Sequence, residues 1–367
     1  MNNVIVIGGT HHNSLGVIRS LGERGYNVEF VNYNAGGKFD YVAKSKYIIK
    51  YHQLDCIDQL YSYLQQRNYV EYREVIISCA DVVTEYLNMH LEVLSERYII
   101  PGIPQQGEMT ELMDKTKMIE MVSKRGINAP NVWHLPIEKS SVSFPCITKS
   151  HISSHGGKSD IVIFYSQEEL NTFIKSNKGS LFAQAYINKK EEIQLIGCSL
   201  HDGAEIIIPG MSKILRSQPN TNTGFLEYGS LDPFYLDIVE KAKLYIKDCQ
   251  YSGLFSFEII RGVDEKIWFL DITYRNDGNA WCVTKSGINL PVIWVKACYG
   301  DDYKNEICTP KQLLMMPELQ DFKLVLQRKV SFIQWCKDWK RTDYFMEYDK
   351  QDKKPFFFAI LNKLHLV

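Results

Sequence analysis

Residues 253–279 read GLFSFEIIRGVDEKIWFLDITYRNDGN. Two apolar runs, 254–260 and 267–270, flank the polar turn Arg-Gly-Val-Asp-Glu-Lys, the pattern of a β-hairpin. Each run delivers one acid in apolar surroundings, Glu258 inside the first and Asp271 at the end of the second. In a hairpin the two can face the same side. Carboxylates side by side repel each other and are costly to bury unpaired. A divalent cation removes that cost, and oxygen-only ligands suit magnesium. A salt bridge from Arg275 or Lys149 is the structural alternative.

Working outward, Val4–Ile7 is a continuous β-branched run ending at Gly8-Gly9, as in a strand buried on both faces of a parallel sheet. Helical spacing from Leu15 to Arg24, a closing Gly25 and the strand NVEFVNY complete a βαβ opening. A helix at LDCIDQLYSYLQQRN, a strand at EVIISCA and a helix at VVTEYLNMHLEVLSER follow, so residues 1–105 read as a parallel α/β domain. PGIPQQGEM punctuates the chain. TELMDKTKMIEMVSKRGINAP then reads as one amphipathic helix ended by Gly126 and Pro130. Short strands from 144 to 187 surround the loop SHISSHGGKSD; EIQLIGCSL and AEIIIPG are further strands, and 233–250 is a helix. The last fifty residues read as helical, rich in lysine and tryptophan.

The 367 residues suit two or three packed subdomains, and the net charge of -1 supplies no field to recruit nucleic acid or an anionic membrane. None of the nine cysteines forms a CxxC pair, and their odd number fits reduced thiols in a cytosolic protein. MNNVIVIGG lacks the basic start and length of a signal peptide, and no stretch of eighteen apolar residues occurs. A soluble, cytoplasmic protein is expected.

Three groups of residues carry chemistry or a bland equivalent. GGTHHNSLG lacks GxGxxG spacing, and Asn32 stands where a ribose-binding carboxylate would end the second strand. Its glycines read equally as a tight turn, while His11 and His12 either line an anion site or are merely solvated. Lys149 ends a predicted strand, where an ammonium is awkward unless it meets an anion. Gly156-Gly157-Lys158 lies in a loop of small and polar residues able to fold over phosphates. For these lysines, and for Lys115 in MDKTKM, a solvated surface is the alternative.

In order and spacing the chain resembles the ATP-grasp superfamily, specifically its carboxylate–amine ligases, through most of its length up to about residue 300. The resemblance implies that Asp114-Lys115 opens the module, with Lys115 among the nucleotide-binding residues, Lys149 on the phosphates and Ser154, Gly156, Gly157 and Lys158 in a loop over them. AQAYI matches the adenine hinge, with Gln184 as its polar residue and Ala185 and Ile187 giving backbone contacts. Glu191 falls at the ribose-binding acid. Glu258 and Asp271 match the two magnesium-bearing acids, and Arg275 an arginine that grips phosphate or substrate. Where the family has glutamate, any residue, asparagine, this chain has Asp271-Ile272-Thr273. Thr273, a weaker ligand than an amide, takes the third metal position, which Asn276 could complete.

The implied fold is an N-terminal parallel α/β domain (1–105), a two-lobed α+β ATP-grasp module (106–310, lid about 120–185) and a helical C-terminal segment (311–367). The implied activity is ATP- and Mg2+-dependent joining of a small carboxylate to an amine, the substrates being an amino acid, peptide or sugar acid. Arg216, in ILRSQPNTNTG, is the candidate for holding the acyl group. Oligomeric state is left open, a homodimer included. Three rivals stand: an enzyme activating bicarbonate or another small acid without amide formation, a nucleotide-binding protein that has lost catalysis, and an NAD-dependent oxidoreductase.

Overall fold

The computed structural model describes residues 3–35, 39–135, 142–151, 160–177, 179–218 and 223–364. Its first sheet is parallel. Strands β1 (Asn3–Gly8), β2 (Asn27–Asn32), β3 (Ile48–Gln53), β4 (Glu74–Ser78) and β5 (Tyr98–Ile99) stand in the order β3-β2-β1-β4-β5. Val4 to Ile7 are 0 % exposed, so β1 is covered on both faces as its unbroken apolar run requires. The helix after it, His12–Gly22, starts earlier than its apolar spacing suggests, because the His11 side chain caps it by accepting the Asn13 N–H at 3.2 Å. Gly25 closes the turn with φ of 80°, a conformation that favours glycine. β3 and β5 are the unannounced strands: β3 is a half-exposed edge with no apolar run to betray it, and β5 is two residues long.

A second, antiparallel sheet contains β6 (Val132–His134), β7 (Cys146–Ser150), β8 (Ile163–Phe164) and β9 (Leu181–Ala185) in the order β6-β9-β7-β8. Before it, the expected single helix is two, Met109–Leu112 and Lys115–Lys124. Asp114 breaks them: its backbone is extended and its carboxylate accepts the N–H groups of Thr116 and Lys117, starting the second helix afresh.

The large mixed sheet contains β10 (Lys189–Leu200), β11 (Glu205–Ile207), β12 (Met211–Ser217), β13 (Gly224–Gly229), β14 (Gly253–Gly262), β15 (Ile267–Thr273), β16 (Leu313–Met316) and β17 (Tyr344–Phe345). Its order is β15-β14-β10-β12-β13-β16-β17, with β11 on β10. Pleating divides β10, β14 and β15 into two faces. Leu195, Phe257, Ile259 and Phe269 on one face join Val239, Ala242 and Tyr245 of the helix Leu236–Asp248 in an apolar core. A separate core joins Val4 and Val28 of the first sheet and Leu15 of the helix after β1 to Ile196, Trp281, Ile293 and Met346 from later in the chain.

The C-terminal segment is less purely helical than expected. Beside the helices Glu318–Leu326, Phe332–Arg341 and Lys354–Lys363 it adds β16, antiparallel to β13, and β17, parallel to β16. Trp335 lies between Phe322 and Trp339, with ring centroids at 5.0 and 4.9 Å. Arg19, 0 % exposed, reaches from the first helix to the Asp352 carboxylate at 3.1 Å and to the carbonyls of Met346, Glu347 and Asp352. Removing residues after 320 would strand this buried guanidinium and open the shared core. Truncation there should therefore yield insoluble protein, read as the soluble fraction on expression. A soluble, active product that has lost only liposome binding would mean that the segment is a peripheral contact instead.

Candidate functional site

The hairpin forms as its sequence implies. Glu258 and Asp271 are direct cross-strand partners, and a bulge follows Glu258. Partners share a face, so Glu258, Asp271, Ser256, Thr273 and Gln194 all lie on the side opposite the apolar core. Gln194 pairs with Glu258, and Ser256 with Thr273. The hydroxyls of Ser256 and Thr273 and the Gln194 Nε2 are buried and find no hydrogen-bond partner among the described residues.

The chain leaving β15 ties this face to the first sheet. The Asn276 N–H donates to the Ser78 carbonyl at 3.1 Å, and its side-chain amide donates to Asn13 Oδ1 at 2.5 Å. Asn276 thus clamps the two sheets through its N–H groups. Arg275 lies between Asp81, at the start of the helix Asp81–Met89, with Nε to Oδ1 at 3.4 Å, and Asp277, with Nη1 to Oδ2 at 3.6 Å. Burial disfavours its charge, but Asp81, Asp277 and Glu258 outweigh that and hold it protonated above its ordinary value.

From the other side, β7 delivers Lys149, 8 % exposed, and the Lys115 N–H donates to the His151 carbonyl at 2.9 Å, holding the helix Lys115–Lys124 against the end of β7. Lys115 Nζ meets Asp271 Oδ2 at 3.0 Å. The salt bridge expected from Arg275 or Lys149 thus comes from Lys115. Burial and the Lys115 charge pull Lys149 down to about 8 against the opposing influence of Asp271, Glu258 and Glu192. Glu258, 4 % exposed, is pushed well above the carboxylate range by burial and by Asp277, Asp271 and Glu192. With Asp81 on Arg275 and Lys189 on Glu192 at 2.5 Å, five acids face four bases in a partly dry site.

Among the described residues no group of three or more His, Cys, Asp or Glu side chains could hold a metal alone. Two carboxylates with an orphaned hydroxyl beside them fit magnesium all the same, because that ion keeps waters and takes the rest of its shell from substrate phosphates. The excess of acid over base on this face is what such a cation would neutralise.

Other expected residues are placed differently. Glu191 is on the wrong face: it pairs with Arg261 and binds Lys213, with the Tyr235 hydroxyl at 2.7 Å, and those hydrogen bonds lower it to about 2. Its neighbour Glu192, 6 % exposed, belongs to the Glu258 side, since it is one of the acids acting on Glu258 and Lys149. Spacing alone selected the first; the period of two selects the second. Arg216 is engaged by the C-terminal helices, with Nε and Nη2 on Asp321 at 3.0 and 2.6 Å and Nη1 on Asp338 at 2.6 Å. An acyl group would have to displace an aspartate, so Arg216 acts as a staple. Gln184 is buried on β9 between Val132 and Ile147, while the Ala185 N–H is taken by the Asn131 carbonyl at 2.8 Å, which leaves Ile187 for backbone contact through N–H. Ser154, Gly156, Gly157 and Lys158 lie outside the described residues.

Asp277 (2 % exposed) and Asn279 (0 %) received no role from the sequence, although the Asp277 carboxylate accepts the Asn279 N–H at 2.8 Å and Asn279 donates to Gln194 at 2.6 Å. The polar string RNDGN after an apolar strand was the available signal. His12, taken as solvated or anion-binding, is 2 % exposed. At the carboxyl ends of β1, β2 and β4 a crevice of about 1050 Å³ is lined by Thr10, Tyr33, Asn34 and Cys79. It sits where strand order reverses between β1 and β4, the usual ligand position of such sheets.

No family model and no curated protein matches the chain. Solved structures do. The L-amino acid ligase from Bacillus licheniformis aligns at 14 % identity, covering 86 % of this chain and 79 % of that one, with a TM-score of 0.63. The N5-carboxyaminoimidazole synthetase from Staphylococcus aureus complexed with ADP aligns at 16 % identity, covering 89 % and 85 %, with a TM-score of 0.67. The N5-carboxyaminoimidazole synthase from Aspergillus clavatus, in complex with ADP and the aminoimidazole ribonucleotide, aligns at 11 %, covering 90 % and 87 %, with a TM-score of 0.64. The chain has the ATP-grasp fold of these enzymes. No helix among the described residues is long and apolar enough to cross a membrane.

Proposed function

We propose that the protein is an ATP-dependent carboxylate–amine ligase that activates a small acid as its acyl phosphate and passes it to an amine. The convergence of Glu258, Asp271, Lys115, Lys149 and Arg275 on one polar sheet face carries this reading. A magnesium ion bound by Glu258 and Asp271, with Thr273 beside them, would neutralise charge on the phosphate oxygens. Lys149 and Lys115 add positive charge from the neighbouring sheet, and Lys115 exchanges Asp271 for phosphate when nucleotide enters. Arg275, held by Asp81 and Asp277, is aimed between the nucleotide and the crevice above β1 and β4, where the acid substrate lies. Transfer of this kind asks for positioning and charge neutralisation rather than covalent participation. The division at residues 105 and 310 belongs to the same proposal.

The direct test is ADP release from Mg-ATP with amino acids, dipeptides and sugar acids. Release that needs both an acid and an amine supports the ligase; release with an acid alone marks activation without amide formation; none with any panel member overturns the reading.

Gln184 and the Ala185–Ile187 backbone should read the amino edge of adenine. ATP should therefore stabilise the protein against heat more than GTP in magnesium, and equal stabilisation would count against the hinge.

A further expectation concerns pH. Lys149 binds phosphate as an ammonium, and its depressed value of about 8 means that the charge is lost as pH rises through that point. Phosphate raises its pKa in the complex, so affinity is full below 8 and falls roughly tenfold per pH unit above it. Calorimetric titrations from pH 7 to 9.5 would show this, and Lys149→Arg, always charged, should flatten the profile. A wild-type profile that is already flat would contradict the assignment.

A further inference from the structure

The whole-chain charge of -1 conceals an uneven distribution. From 322 to 342 the sequence carries six basic residues and one acid, Asp338. That acid is 2 % exposed and is held by Arg216 at 2.6 Å and by Arg341 at 3.1 Å. Its charge is therefore cancelled inside the fold, while Lys323, Arg328, Lys329, Lys337 and Lys340 are exposed. The surface of this stretch is positive.

The stretch forms the helices Glu318–Leu326 and Phe332–Arg341, closed by a tight turn. In that turn the N–H groups of Arg328 and Lys329 donate to the carbonyls of Val325 and Leu324 at 2.9 and 2.8 Å. The second helix is two-sided. Trp335, Asp338 and Trp339, at i, i+3 and i+4, face inward onto Phe322, Arg216 and Phe345, the last with ring centroids at 4.2 Å. Ile333, Lys337 and Lys340, at i, i+4 and i+7, share the outer side. At the closed end of the pair Leu326, Phe332 and Ile333 are 70, 59 and 69 % exposed. Among the described residues no other stretch as short exposes three large apolar side chains. Exposed apolar residues are ordinary when scattered singly; a cluster rimmed by charge marks an interaction surface.

The charge decides what covers it. A second copy docked through the same patch would set basic residues against basic residues. An anionic bilayer suits both parts of the surface. Its acyl boundary receives the apolar side chains, and its phosphates meet the arginine and lysines, whose long stems keep the charged heads at headgroup level. We infer that the closed end of this helix pair is a peripheral membrane contact, inserting Leu326, Phe332 and Ile333 into the interface of a bilayer rich in anionic phospholipid. The inner side of the pair stays packed on the protein, so the contact needs no rearrangement of the core. The inference does not depend on the ligase reading.

Sedimentation of the full-length protein with vesicles is the test. It should sediment with equal parts phosphatidylcholine and phosphatidylglycerol, not with phosphatidylcholine alone, and raised salt should release it. Phe332→Ser with Ile333→Ser should weaken the binding about tenfold or more through lost apolar contact. Arg328→Ala with Lys329→Ala should weaken it about as much through lost charge. All four side chains are exposed, so both variants should keep the wild-type thermal midpoint. Leu326→Ser, at the end of the other helix, serves if either fails to fold. Absence of sedimentation with the anionic vesicles, equal sedimentation with neutral ones, or full binding in either double variant would overturn the inference. Binding to polyglutamate as tight as to anionic vesicles, and unaffected by Phe332→Ser with Ile333→Ser, would assign the surface to an acidic protein instead.

Discussion

Asp271→Asn is expected to slow ADP formation about a hundredfold or more, roughly 2.7 kcal/mol at ~1.36 kcal/mol per tenfold. The amide keeps the shape but removes the charge that pairs with Lys115 and that would hold the proposed magnesium. Glu258→Gln should do the same, and the double variant should be little worse than either, since both would serve one ion at the proposed site. Thr273→Asn is the finer probe. The Thr273 hydroxyl is buried without a partner among the described residues, so an amide oxygen there should maintain or improve magnesium affinity. Steady-state ADP release at limiting magnesium measures all four. Full activity in Asp271→Asn would leave the Lys115 salt bridge as the whole purpose of that carboxylate.

The second large effect is on stability. Arg216→Ala should cost about 3–5 kcal/mol of unfolding free energy, because it strands Asp321 and Asp338, 0 % and 2 % exposed, as uncompensated charges. Asp338 retains Arg341 at 3.1 Å, which moderates its share. Urea unfolding reads the loss directly. A variant of unchanged stability with abolished activity would restore Arg216 to the substrate role that its guanidinium first suggested.

The two faces of the hairpin were legible because strands carry a period of two and each acid interrupts an apolar run. β1 and β4 were legible because buried parallel strands are continuously apolar. What escaped has a common cause in contacts distant along the chain. No strand was expected around ILRSQPNTNTG, and only the antiparallel register with β13 shows that Arg216 belongs to one. β16 and β17 are four and two residues long, and pair with a strand some ninety residues earlier and with each other. Nothing local marks them. Glu191 was chosen over Glu192 by counting from the hinge, whereas the choice is made by the pleat of β10 against β14. The clamp through Asn276 and the burial of His12 likewise depend on the docking of the large sheet on the first one.

Calorimetric titration of ATP, with magnesium and with a chelator, into the wild type and the Glu258→Gln, Asp271→Asn double variant tests the metal-dependent nucleotide site without knowledge of the substrates. The expected result is at least about tenfold tighter binding with magnesium in the wild type, ~1.4 kcal/mol, and no such gain in the double variant. Equal affinity in magnesium and in chelator for the wild type, or an undiminished magnesium gain in the double variant, would contradict the assignment of Glu258 and Asp271.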